Sequence, residues 1–202
     1  MTVATEVWPP TVQRRMTLEE YLDYDHGSDC RYELEDGVVI YMSSEKPLNP
    51  CIAMMLVFIF SDLGIARTLL AIGHQIEVRS AYATCREPDL VVHTIDSDAA
   101  ILSGDKVLRL GSPPPLLVVE VASSSLTDSK SRKRDYENKP REYADRGISE
   151  MWIIDPDRLW VQVGTLTDGS YQFETFTGEG KVASPAFPEL SLTAVQILSA
   201  GR

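Results

Sequence analysis

The stretch whose reading decides the fold is residues 116–125, LLVVEVASSS. Leu116, Leu117, Val118, Val119 and Val121 form a short aliphatic run, of a length that suits a strand buried on both faces. Glu120 sits inside it. An ionised carboxylate in such a strand is costly unless it is paired or binds a metal, so the reading turns on what Glu120 faces. The matching stretch is residues 88–92, PDLVV, where Asp89 opens the apolar run, whereas Glu120 comes near the end of its own. If the two strands pair antiparallel, the start of one lies beside the end of the other. The two acids then meet at one edge of the sheet, as hard oxygen donors for a divalent cation.

Working outward, the first residues, 1–15, carry no hydrophobic pattern and include Pro9 and Pro10; they read as a loose arm ahead of a single domain over 16–202. Thr17 and Glu20 have the spacing of a capping box, which predicts a helix from Thr17 to about Gly27. RYELEDGVVIYM predicts a hairpin turning at Asp36-Gly37. Asn49-Pro50 predicts a cap and first-turn proline for a helix running to Leu63, apolar nearly all round and therefore buried. Strands are expected over 71–80 and 88–93, a polar loop or short helix over 96–105, and a short strand over 106–110. After the strand of Glu120 come a helix ending near Gly147, a strand over 150–155, a hairpin around Asp168-Gly169, and an apolar closing element over 188–198. This order predicts a mixed α/β fold of the α+β type.

Composition narrows the function. The chain of 202 residues carries a net charge of −11, so its bulk field repels nucleic acid and any contact with DNA needs a local basic patch. The only such patch is residues 130–146, with Lys130, Arg132, Lys133, Arg134, Lys139, Arg141 and Arg146; interleaved acids make much of it read as a solvated helix face. Three widely spaced cysteines imply neither a zinc site nor a disulfide framework, and with no signal peptide and no long apolar span the expectation is a cytoplasmic protein that does not enter a membrane.

On one reading Glu33, Asp89, Glu120 and Lys139 converge. Three carboxylates and a backbone carbonyl such as that of Val121 suit Mg²⁺ or Mn²⁺, and an adjacent ammonium suits developing charge on a phosphate. The structural readings stand beside this one. Glu120 pairs with Arg134 or Arg141 in one of them, Asp89 satisfies backbone amides at a strand start, and Glu33 is simply exposed. His93, on the Asp89 face by alternation, is then a satisfied core or surface histidine, and Ser123, Ser124 and Ser125 form a turn.

Pro88-Asp89 followed by Glu120-Val121-Ala122 resembles the PD-(D/E)xK nuclease pattern. YELEDG, PDLVV, VVEVASSS, the Lys139–Tyr143 pair and EMWIIDP together resemble, in order over 17–156, a bacterial family of restriction-endonuclease-like proteins formerly known only as a domain of unknown function. The resemblance implies a mixed central sheet flanked by helices, and a metal-dependent endonuclease acting on DNA. By that likeness Asp89 and Glu120 bind Mg²⁺ or Mn²⁺, Glu33 is the accessory acid, and Lys139 is the catalytic lysine. Ala122 occupies the usual lysine slot on the Glu120 strand, so the ammonium has to come from the following helix. Pro140 next to Lys139 bears on how it is aimed, with Lys130 and Lys133 as substitutes. The alternative is a catalytically silent member of the same fold, serving as a homodimeric interaction or regulatory module.

Overall fold

The structure is a computed structural model that describes residues 14–24, 32–42, 46–104, 106–123 and 129–202. Residues 1–13 of the expected N-terminal arm (1–15), the expected helix end at His26-Gly27 and Ser124-Ser125 lie outside the described residues. The first helix, α1 (Leu18–Leu22), opens with the expected capping box, Thr17 accepting from the Glu20 amide and Glu20 reaching back to the Thr17 amide. The hairpin follows as β1 (Tyr32–Glu35) and β2 (Val38–Tyr41), with Asp36 and Gly37 both at positive φ, the signature of a type I′ turn.

The strands make two sheets where the sequence predicts one. A six-stranded mixed sheet is built from β3 (Leu70–Ala71), β6 (Leu90–Val92), β8 (Leu117–Val121), β9 (Glu150–Asp155), β10 (Trp160–Thr167) and β11 (Ser170–Thr177). Its order is β11-β10-β9-β8-β6-β3, with β8 and β9 parallel and the other neighbours antiparallel. The first hairpin joins β4 (Gln75–Val78), β5 (Thr84–Arg86) and β7 (Val107–Leu108) in a second sheet of order β2-β1-β5-β4-β7. The chain passes from β5 to β6, and so from one sheet to the other, through Glu87, Pro88 and Asp89. Between β6 and β7 runs α3 (Ile95–Ser103), and α6 (Ala194–Leu198) closes the chain.

Alternation on the central strand decides what each side chain meets. Leu117, Val119 and Val121 pack with Leu90 and Val92 against α2 (Leu48–Asp62), while Val118 and Val91 belong to a second core on the opposite face, with Tyr143 and Ile153. Glu120, between Val119 and Val121, shares the Val118 side.

Two expectations about α2 need correction. Its cap is Pro47, and Asn49 lies inside the first turn. The helix is also not buried all round: Met54 and Phe58 stand one turn apart and exposed. An all-apolar composition shows only that a helix has no polar face, not that every face is covered.

Candidate active site

The antiparallel pairing of β6 and β8 matches the expected one, with Leu90 opposite Val119 and Val92 opposite Leu117. One residue beyond Leu90 on one strand is Asp89, and one beyond Val119 on the other is Glu120. Half-buried Asp89 is tied across the gap: its Oδ2 accepts the Val121 amide at 2.6 Å. Val121 is held on its other side as well, its carbonyl accepting from Asn49 Nδ2 at 3.3 Å.

Lys139 arrives from the basic stretch, which is helical throughout. Short α4 (Ser129–Lys133) runs into a π turn (Arg134–Asn138) and then α5 (Lys139–Arg146). The Lys139 amide donates to the Arg134 carbonyl, five residues back, where an α-helix would use the fourth. This wider turn accommodates Pro140, which has no amide hydrogen, near the start of α5. It also turns Lys139 inward. Its Nζ is 2.6 Å from Glu120 Oε2 and 3.3 Å from Glu33 Oε1. One helical turn on, the Tyr143 hydroxyl donates to Glu120 Oε1 at 2.6 Å. Lys130 and Lys133 are exposed, so the fallback lysines are not the ones delivered to Glu120.

Glu33 is fully buried, which overturns its reading as an exposed hairpin acid. Arg86, also fully buried, reaches Glu33 at 3.1 Å and Glu35 at 3.3 Å, and grips both oxygens of Glu142 on α5. The Glu87 amide donates to Glu33 as well. Glu33, Lys139 and Glu120 therefore form one buried chain of charge, with Arg86 locking its far end. Arg134 pairs with Asp135 and Arg141 is exposed, so neither takes the part of Glu120's partner.

Electrostatics separate the two glutamates. Burial drives the Glu120 carboxyl above its usual range, against the pull of Lys139. Burial acts the same way on Glu33, yet Lys139 and Arg86 together outweigh it and hold that carboxyl below its usual range. Burial opposes the Lys139 charge, and the two glutamates overcome it, so the ammonium is held above its ordinary value. Tyr143 is raised by burial and by Glu120, and stays a donor.

Arg86, Tyr143, Glu142 and Asn49 complete the surroundings. Of these only Tyr143 had a signal in the sequence, as one of a pair with Lys139 spaced one helical turn apart. Arg86 adjoins the Pro-Asp dipeptide, but nothing in the local sequence marks it as buried. His93 is buried and hydrogen-bonded to His74 and Ser97, both at 3.0 Å, which fits a structural histidine.

The donors at the β6–β8 end are all oxygen: the carboxylates of Asp89 and Glu120 and the Val121 carbonyl, which keeps a second lone pair beside its bond to Asn49. This set fits a hard divalent cation. Among the described residues no three acidic, histidine or cysteine side chains gather as a ready metal cluster.

The family model Uma2, described as "Putative restriction endonuclease", matches residues 18–195. The chain belongs to this family. A crystal structure described as a "putative nuclease belonging to DUF820" from Anabaena variabilis ATCC 29413 superposes with a TM-score of 0.71 at 18% identity, over 93% of this chain and 99% of that one. At that identity the likeness shows a shared fold alone. No curated protein matches the chain. Uma2 membership also agrees with the resemblance carried by YELEDG, PDLVV and VVEVASSS.

Proposed function

We propose that this Uma2 protein is a metal-dependent endonuclease that hydrolyses phosphodiester bonds in DNA. The observation that carries the reading is the delivery of Lys139 from a π turn onto Glu120, beside Asp89 on the neighbouring strand. Asp89, Glu120 and the Val121 carbonyl would hold Mg²⁺ or Mn²⁺, with Glu33 as an accessory acid acting through Lys139. The ion would supply an acidified water and relief of charge on a phosphate oxygen.

The chain's own groups divide the remaining work. Lys139 is held protonated, so it serves as a donor and a positive charge facing the developing negative charge at phosphorus, not as a base. Tyr143 orients Glu120. Arg86 keeps Glu33 ionised, and Glu33 in turn keeps Lys139 charged. DNA would approach along the exposed side of the basic helix. There Arg132, Lys133 and Glu137 line an open cleft of about 450 Å³, walled by Tyr136, Trp160 and an Arg158 already paired with Asp155, so the exposed cations it offers to phosphates are Arg132 and Lys133.

Supercoiled plasmid incubated with Mg²⁺ or Mn²⁺ tests this. Nicking is expected from the wild type and not with EDTA, is abolished by Asp89→Ala, and falls about 10²–10³-fold in Lys139→Ala with metal binding retained. Absence of Mn²⁺ binding by calorimetry, or equal binding by Asp89→Ala, overturns the reading.

One observation favours a second reading, a silent member serving as a homodimeric module. Both Glu120 oxygens already accept hydrogen bonds, from Lys139 and Tyr143. That reading predicts no nicking and no Mn²⁺ binding, with a dimer in sedimentation equilibrium.

A further inference from the structure

Asn49 stands where the sequence predicts a helix cap, yet it caps nothing. It lies two residues inside α2 and is 1% exposed. A buried amide has two donor hydrogens and an acceptor oxygen, and interior polar groups almost always find partners. Nδ2 donates to the Val121 carbonyl. That bond fixes which end of the amide is which, because the flipped orientation would set two oxygens face to face. Oδ1 is therefore a buried acceptor two bonds away from the atom that holds Val121. No donor among the described residues reaches it.

Val121 is thus bracketed, its amide on Asp89 and its carbonyl on Asn49. The other side-chain acceptors at this corner, Asp89 and Glu120, are carboxyls that already hold donors. Lys139 has only donors. Both oxygens of Glu120 are engaged by donors, and one oxygen of Asp89 is spent on the Val121 amide. A water that must aim a lone pair at an electrophile needs acceptors for its hydrogens. A neutral amide oxygen provides one without adding negative charge where a phosphate must approach.

We propose that Asn49 is a positioning residue of the metal site. Its Nδ2 sets the direction of the Val121 carbonyl, and its Oδ1 accepts a hydrogen bond from a water molecule held at the Asp89–Val121 corner. The inference rests on the metal-dependent reading above.

The test is a Mg²⁺ titration of ¹⁵N-labelled protein followed by NMR. The side-chain amide pair of Asn49 is expected to shift with the backbone amide of Val121 along a single isotherm. By calorimetry, Asn49→Leu is expected to bind Mg²⁺ about 10–100-fold more weakly. Its metal-free unfolding midpoint is expected to fall as well, since leucine leaves the Val121 carbonyl without its donor, so affinity is the deciding readout. A purely structural asparagine would lower the midpoint and leave the affinity unchanged. Movement of Val121 without Asn49, or wild-type affinity in Asn49→Leu, overturns the inference and leaves the nuclease reading standing. Movement of neither overturns both. Should Asn49→Leu not fold, the wild-type titration decides alone.

Discussion

Lys139 is a buried ammonium between two buried carboxylates. Such a group is stable only while its partners are present, because removing one member of a buried pair strands the other's charge. Lys139→Met is therefore expected to lower unfolding free energy by about 3 kcal/mol in urea denaturation. Lys139→Met combined with Glu120→Gln should recover part of that loss, since the double variant buries less uncompensated charge. Arg86→Lys keeps the charge but loses the two-pronged grip on Glu142. It should cost about 2 kcal/mol in the same measurement. At this scale local pattern was informative about need and uninformative about supply; the family resemblance is what named Lys139, which the structure brings to Glu120. Glu120 inside LLVVEV announces that a partner is required. Which of Arg134, Lys139 and Arg141 answers depends on helix register, and no single residue carries that information.

The register is decided by the π turn. Arg134–Asn138 inserts one residue more than an α-helix would use, between Tyr136, bonded to Asp155, and Glu142, bonded to Arg86. Deleting exposed Glu137 should return the segment to α register and break one of these two anchors. The expected cost is about 2–3 kcal/mol, the worth of a hydrogen bond to a charged group, read as a lowered urea midpoint. The first hairpin shows the opposite case, an element its sequence dictates. Gly37 sits at φ +82°, and a Cβ there would lie 2.5 Å from the Tyr82 ring. Gly37→Ala should cost about 1–2 kcal/mol by thermal or urea unfolding. Asp-Gly flanked by alternating residues was legible because the turn is local. The π turn was not, since Pro140 signals an irregularity without saying which kind.

Across the molecule, the two sheets meet near the site. His74 stands just before β4 in the smaller sheet, and His93 just after β6 in the larger one, and their rings are hydrogen-bonded. Burial, and after it His74, push His93 down to about 4. The unfolded chain takes up this proton near pH 6.5, whereas the folded one resists until about pH 4. The stabilisation is whole above pH 6.5 and is lost as the pH falls through that window. Urea denaturation should show wild type losing up to about 2 kcal/mol more than His93→Gln between pH 7 and pH 4.5. The net charge of −11 acts at the same scale. On the proposed nuclease reading, DNA held by the 130–146 face is expected to be released steeply by added salt in a filter-binding titration, and salt-insensitive binding would count against that face.

The chain by itself determined its alternating and capped elements, the antiparallel match of PDLVV with LLVVEV, and the presence of an acid that could not be left alone. These follow from periodicity, turn chemistry and the cost of burying charge, all of which act between near neighbours. Tertiary structure alone decided that Glu33 is buried, that Arg86 holds it there, that Asn49 turns from capping to Val121, and that the strands divide into two sheets. Each of these depends on groups far apart in sequence meeting in a medium where a charge must find its opposite, and no local pattern records that meeting.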